Sequence, residues 1–317
     1  MTHYRRMLCA ALGLGLLLAL SIGCADQTLP PLDPEGPGPQ EPTEGIYIAN
    51  ADGSNLRRLV GGERPAWSPE GRRIAFQWYV QIHVIEIDGS GDTWLGEGRD
   101  PAWSPDGTRL AFTRGEGIVV MRHDGSEVTM ILRHDFRDDI DPRWDLGVAK
   151  PTWSPDGDRI AFEHLGTGDG LGSPPVGPLV LPRVFVMNAD GSDPRRLTTT
   201  ATAQEVVESD PAWSPDGSEI VFWSSDYGIA AVPAAGGTPR AIYQNAPALA
   251  YGAGPAWSPD GRAILFATHQ FSPVGQAIWV VGREGGQAEL LIEGGSDPGW
   301  SPDGASIVFR RIEEEAP

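Results

Sequence analysis

The sequence predicts an all-β fold: a six-bladed β-propeller whose ring is closed by a hairpin at 46–60 pairing with a hairpin at 298–311. Three observations predict it. A seven-residue word occurs six times, a second word alternates with it, and the chain opens on one word and ends on the other. The first word is Pro-Ala-Trp-Ser-Pro-Asp-Gly, at 65–71 (with Glu70), 101–107, 151–157 (with Thr152), 211–217, 255–261 and 298–304 (with Gly299). A short apolar run follows each copy, from Ile74-Ala75-Phe76 to Ile307-Val308-Phe309. An extended run, a Ser-Pro-Asp-Gly turn and a second extended run make a hairpin.

The second word ends in Asp-Gly and runs over 46–53, 82–89, 118–125 and 184–191, with weaker copies at 229–236 and 278–285. Each copy leads through a turn to a short strand such as Arg57-Arg58-Leu59, which makes another hairpin. Twelve hairpins give twenty-four strands, four per repeat at a spacing of 36 to 60 residues, the pattern of propeller blades. Neighbouring blades cover both faces of each sheet, so the strands read Ile-Ala-Phe instead of alternating apolar and polar. The incomplete repeats at the two ends complete one blade and leave no open edge.

Before the repeats, Arg5-Arg6 and an apolar run to about Ile22 read as a signal peptide over 1–24, too short to span a bilayer comfortably. It closes on Ser21-Ile22-Gly23-Cys24-Ala25, similar to a bacterial lipobox in which Cys24 is diacylated; ordinary cleavage after Ala25 is the alternative. Cys9 falls in the removed part, so Cys24 has no disulfide partner and fits an acyl acceptor. Residues 25–44 carry six prolines and almost no large apolar side chains, which reads as an extended tether of roughly 60 Å. The propeller spans 45–312, and 313–317 is an acidic tail. With 41 glycines and 29 prolines, turns and short strands outweigh long helices. The net charge of -19 excludes nucleic acid as a partner, because such binding relies on basic side chains.

The Pro-Ala-Trp-Ser-Pro-Asp-Gly and Asn-Ala-Asp-Gly-Ser words resemble the propeller repeats of the TolB family, which are shared with prolyl oligopeptidases and some polysaccharide lyases. The resemblance covers 46–311 and implies a bacterial envelope protein. TolB itself carries an α/β domain before its propeller, where this chain has the tether. That difference weakens any carry-over of TolB's partner, the peptidoglycan-associated lipoprotein.

The tight turns fall on one face of the disc and every insertion on the other: 133–150, 165–183, 199–210 and 244–254. Loops on a rigid scaffold carry binding residues, so the variable face is the candidate site. Trp78, Tyr79, Trp144, Trp223, Tyr227, Tyr251 and Phe271 lie in or beside these loops, as an aromatic rim or as packing under each loop. The six repeat tryptophans are assigned to the core. Asp100, Asp210 and Asp297, each before a blade's first proline, are expected to ring the channel mouth with Arg64 and Lys150, capping turns or contacting ligand.

No catalytic residues and no cofactor are expected. The chain has no Gly-x-Ser-x-Gly elbow, and the glycines at 166–172 lack the register of a phosphate loop. A metal site built from His164, His269 and His134 is a minor alternative, as is a cation in the acidic stretch Asp135, Asp138, Asp139, Asp141 and Asp145. The reading is a lipid-anchored, monomeric scaffold, periplasmic or at the cell surface, binding an envelope protein or peptide. A carbohydrate-active protein, lyase-like or glycan-binding, is the alternative.

Overall fold

The computed structural model describes residues 44–115, 117–133, 147–165, 181–198, 206–244, 254–268 and 275–311. The signal peptide, Cys24, the tether up to Thr43, the acidic stretch at 135–145 and the tail at 313–317 lie outside the described residues.

Twenty-four strands form six four-stranded antiparallel sheets among the described residues. The first two strands are β1 (Gly45–Asn50) and β2 (Arg57–Val60). Blade one is β3 (Glu63–Trp67), β4 (Arg73–Trp78), β5 (Gln81–Glu86) and β6 (Thr93–Glu97). Blade two is β7 (Arg99–Trp103), β8 (Arg109–Arg114), β9 (Gly117–Arg122) and β10 (Thr129–Arg133). Blade three is β11 (Val148–Trp153), β12 (Arg159–Leu165), β13 (Pro182–Asn188) and β14 (Arg195–Arg196). Blade four is β15 (Glu208–Trp213), β16 (Glu219–Ser224), β17 (Gly228–Pro233) and β18 (Arg240–Tyr243). Blade five is β19 (Ala256–Trp257), β20 (Ala263–Thr268), β21 (Ala277–Gly282) and β22 (Glu289–Glu293). Blade six joins β23 (Gly295–Trp300) and β24 (Ser306–Arg311) to the first two strands, in the order β2-β1-β24-β23. There Gly45 pairs with Arg311 and Asn50 with Ser306.

Burial follows the repeat. Ile74, Ala75 and Phe76 of β4 have no exposed surface, and the five equivalent phenylalanines are as deeply buried. Six apolar clusters each fill the space between two neighbouring blades. The outermost strands β6, β10 and β22 are largely exposed, the expected state of an edge.

Each Ser-Pro-Asp-Gly turn is held by its serine. Ser104, Ser214, Ser258 and Ser301 donate to the turn aspartate at 2.6 Å, and Ser154 does the same. The serine Oγ also accepts the N–H five residues on, as in Ser104 with Arg109 at 2.9 Å. The two turns of each blade are joined: the N–H groups of Ala51, Ile87, His123, Ala189, Ala234 and Arg283 donate to the neighbouring hairpin's turn. Both sets of tight turns therefore share one face of the disc, and the loops take the other.

Candidate functional site: the loop-face mouth of the channel

In every blade a residue followed by proline lies in the innermost strand or, at Gly254-Pro255, just before it. Proline has no N–H to give the ladder, and the strand bulges there: pairing slips between Glu63 and Ala66, between Arg99 and Ala102, and at three further blades. Arg64, Asp100, Lys150, Asp210, Gly254 and Asp297 all have φ between 49° and 54°, a left-handed conformation sparsely used by residues other than glycine. With their prolines they line a cavity of about 170 Å³.

Arg64 sits among three carboxylates from three other blades. Its Nη1 is 2.9 Å from Asp297 Oδ1 and 3.5 Å from Asp210 Oδ1, and its Nε is 3.5 Å from Asp100 Oδ1. Lys150 Nζ lies 2.6 Å from Asp210 Oδ1 and 3.4 Å from Glu163 Oε2. Asp297 raises the Arg64 guanidinium further, against the pull of burial. Burial pushes the Asp210 carboxyl up, but Lys150 and Arg64 outweigh it and hold it below its ordinary range. Burial likewise pulls Lys150 down, and Asp210 and Glu163 leave it raised. In the mouth Asp210 and the cations Arg64 and Lys150 thus favour one another's charged forms.

Beside it the β4–β5 turn presents Trp78, 41% exposed, and Tyr79, 80% exposed, followed by exposed Val80. Buried Gln77 fixes this tip: its amide donates to Glu63 Oε1 at 2.9 Å and to the Tyr79 carbonyl at 2.8 Å, while its Oε1 accepts the Asp100 N–H at 3.1 Å. The Gly98 N–H donates to the Val80 carbonyl at 2.8 Å. Tyr79 is accordingly held at φ 55°.

The family pattern described as the TolB beta propeller domain matches residues 147–317, over half of the chain. The chain belongs to this TolB β-propeller family. The TolB propeller is similar in structure to a protein assigned as TolB from Agrobacterium tumefaciens, at 20% identity and TM-score 0.66, covering 86% of this chain and 99% of that one. It is also similar to an oligogalacturonate lyase in complex with manganese, at 15% identity and TM-score 0.51, covering 86% and 97%. A third neighbour is a calcium-binding protein, regucalcin, from Agrobacterium tumefaciens, at 14% identity and TM-score 0.54, covering 82% and 93%. At these identities the likenesses speak for the fold. No curated protein sequence matches the chain.

Within the TolB propeller, the structure brings Asp100, Asp210 and Asp297 together at one mouth with Arg64 and Lys150, where they pair with these cations. Trp223 is placed in the core and not at the rim, 7% exposed: on β16 it shares a face with Val221 and packs between blades four and five. Tyr227 is half-buried against the interface of blades three and four. Trp144, Tyr251, Phe271, His134 and His269 lie outside the described residues. His164 is buried, its ring 4.8 Å from that of Phe185. Among the described residues no three histidine, cysteine or acidic side chains are grouped to hold a metal ion.

Sequence reasoning missed a second buried polar group beside Lys150. Glu163 is 1% exposed, and buried Glu208 accepts the Thr198 hydroxyl at 2.7 Å and the Val184 N–H at 3.3 Å. Arg183 lies nearby; burial lowers its guanidinium and Glu208 opposes that shift. Only one signal was available: a charged residue inside a strand pattern otherwise apolar, as in Ile160-Ala-Phe-Glu163.

Proposed function

We propose that this TolB propeller is a binding scaffold of the bacterial cell envelope, tethered to the membrane through acylated Cys24, which docks a protein or peptide on its loop face. The observation that carries this reading is the Trp78-Tyr79-Val80 tip. It is exposed and apolar, yet its backbone is fixed from below by Gln77 and Gly98. Rigid aromatic side chains bury contact area on binding with little loss of rotamer freedom, which is the character of interface hot spots. The neighbouring mouth offers charges of both signs to the polar groups of a polypeptide.

Placing a photo-crosslinking residue at Tyr79 in intact envelopes tests the docking face. One adduct of defined mass is expected, lost when Trp78 is replaced by alanine and absent from a crosslinker placed at Arg72 on the turn face. Equal labelling from both faces overturns the reading. For the anchor, the Cys24→Ser protein is expected in the soluble fraction; its retention in membranes removes the lipid-anchor component of the reading.

A further inference from the structure

The six repeat tryptophans stand at one position in the six blades, and their surroundings differ in one respect. Trp103, Trp153 and Trp213 each carry a guanidinium on the ring. Arg73, Arg109 and Arg159 place Cζ at 4.8, 4.9 and 4.7 Å from the respective ring centroids. Each arginine opens the second strand of the preceding blade. In blade four that place is taken by Glu219, and Arg283 from the next blade's turn stacks on Trp257 instead, at 5.3 Å, anchored to Glu219 at 2.9 Å and Asp216 at 3.2 Å.

Blades five and six have Ala263 and Ser306 at this place. The tryptophans they face, Trp300 and Trp67, are half-buried where the other four are buried. Among the described residues no guanidinium stacks on either. The Trp67 Nε1–H donates to the carbonyl of Gly299, the residue before Trp300 in the adjacent blade, at 3.2 Å, as that of Trp213 does to Thr152. Trp67 and Trp300 both line a cavity of about 310 Å³ at the turn-face end of the channel.

The carboxylates repeat as well. In three of the four seats with a stacked guanidinium, the acid of the tight turn neighbours it: Arg73 with Glu70 at 2.6 Å, Arg159 with Asp156 at 3.7 Å, Arg283 with Asp216 at 3.2 Å. Asp303, in the tight turn of the blade before Trp67 and so at the equivalent place, is bound by Ser301 and the Ala305 N–H, with no cation paired to it among the described residues. Asp260, at the same place in the blade before Trp300, reaches Arg262 only at 3.9 Å, and that side chain is 87% exposed.

We propose that Trp67 with Asp303, and Trp300 with Asp260, form a paired receptor for two arginine side chains of a partner polypeptide. The four filled copies of the same seat state its preference. In all four a planar guanidinium stacks on the indole and in three it meets a carboxylate at its edge, a combination that a lysine ammonium does not reproduce. The net charge of -19 favours approach of a basic segment. The seat lies on the turn face and stands whether or not the loop face docks a peptide.

The test titrates acetyl-Arg-Gly-Arg-amide into the full chain and follows the indole N–H resonances by NMR, assigned through Trp67→Phe and Trp300→Phe. Those two resonances are expected to shift. The matching citrulline peptide is expected to leave them in place, and the lysine peptide to bind more weakly. Ala263→Arg with Ser306→Arg supplies the guanidinium from within and is expected to weaken peptide binding about tenfold or more while the protein stays folded. Absence of shifts at millimolar peptide, equal binding of the citrulline or lysine peptide, or unchanged affinity in the arginine double variant each overturns the proposal.

Discussion

Replacing Gly191 by alanine tests how tightly blades two and three are interlocked. Gly191 and Gly89 occupy the same turn in blades three and one, with φ of 87° and 89°. A Cβ on Gly191 would lie 2.6 Å from the carbonyl carbon of Ile131 in β10, and closer still to its oxygen, whereas a Cβ on Gly89 meets nothing within 4 Å. Both variants bear the cost of a left-handed alanine, about 1 kcal/mol. Gly191→Ala must in addition push the facing backbones apart by roughly 1.5 Å to restore normal contact, an overpacking cost of about 1–3 kcal/mol. At about 2–4 °C per kcal/mol for a domain of this size, Gly89→Ala is expected to lower Tm by about 2–4 °C and Gly191→Ala by about 4–16 °C. Calorimetric melting of the two purified variants measures the difference. Equal losses would refute the argument, since the backbone strain is shared and only the neighbour differs.

A chain beginning at Gly61 loses Ile46, Tyr47 and Ile48 from burial, at about 1.5–3 kcal/mol each, which rivals the stability of a typical domain. It is expected to aggregate or to melt far lower in a thermal scan, and an unchanged Tm would contradict the closure. Lys150→Met removes the cation that lies between Glu163 and Asp210 and leaves Asp210 to Arg64 alone at 3.5 Å, and is expected to cost about 3–5 kcal/mol. Adding Glu163→Gln should recover some of that loss in denaturant titrations, and strict additivity would deny the coupling. Serine hydroxyls hold Asp106 down at about 2, and Asp156, Asp190, Asp216, Asp260 and Asp303 below their ordinary range. Their folded-state values lie below the unfolded ones, so the stability they add is present above about pH 4 and lost as pH falls towards 2. Tm should drop steeply over that interval and less so in Asp106→Asn; a flat profile would refute the linkage.

The fold was legible because each blade repeats the same chemical reasons in the same order: a buried serine, a turn acid, an apolar run. The placement of Asp100, Asp210 and Asp297 was legible too, since proline forces the same bulge in blade after blade. Trp223 was misplaced because a residue near a strand end can face a loop or the next blade, and only the neighbour's shape decides. Glu163, Arg183 and Glu208 were hidden because their partners come from other strands. Of the six repeat tryptophans, all assigned to the core, four are buried there. The remaining two differ through Ala263 and Ser306, which lie in the preceding blade and not beside the tryptophan in the chain.

Because Gly45 pairs with Arg311, the first strand made is joined to the last. During synthesis β1 has only β2 beside it until the final residues of the domain appear, so the ring stays an open arc with apolar edges for nearly the whole time of translation. Closing it means bringing together chain segments more than two hundred residues apart, a slow step by its topology. For an exported chain, the fate proposed for this one, that order makes closing the ring the last folding step, taken only once the final strand has been delivered.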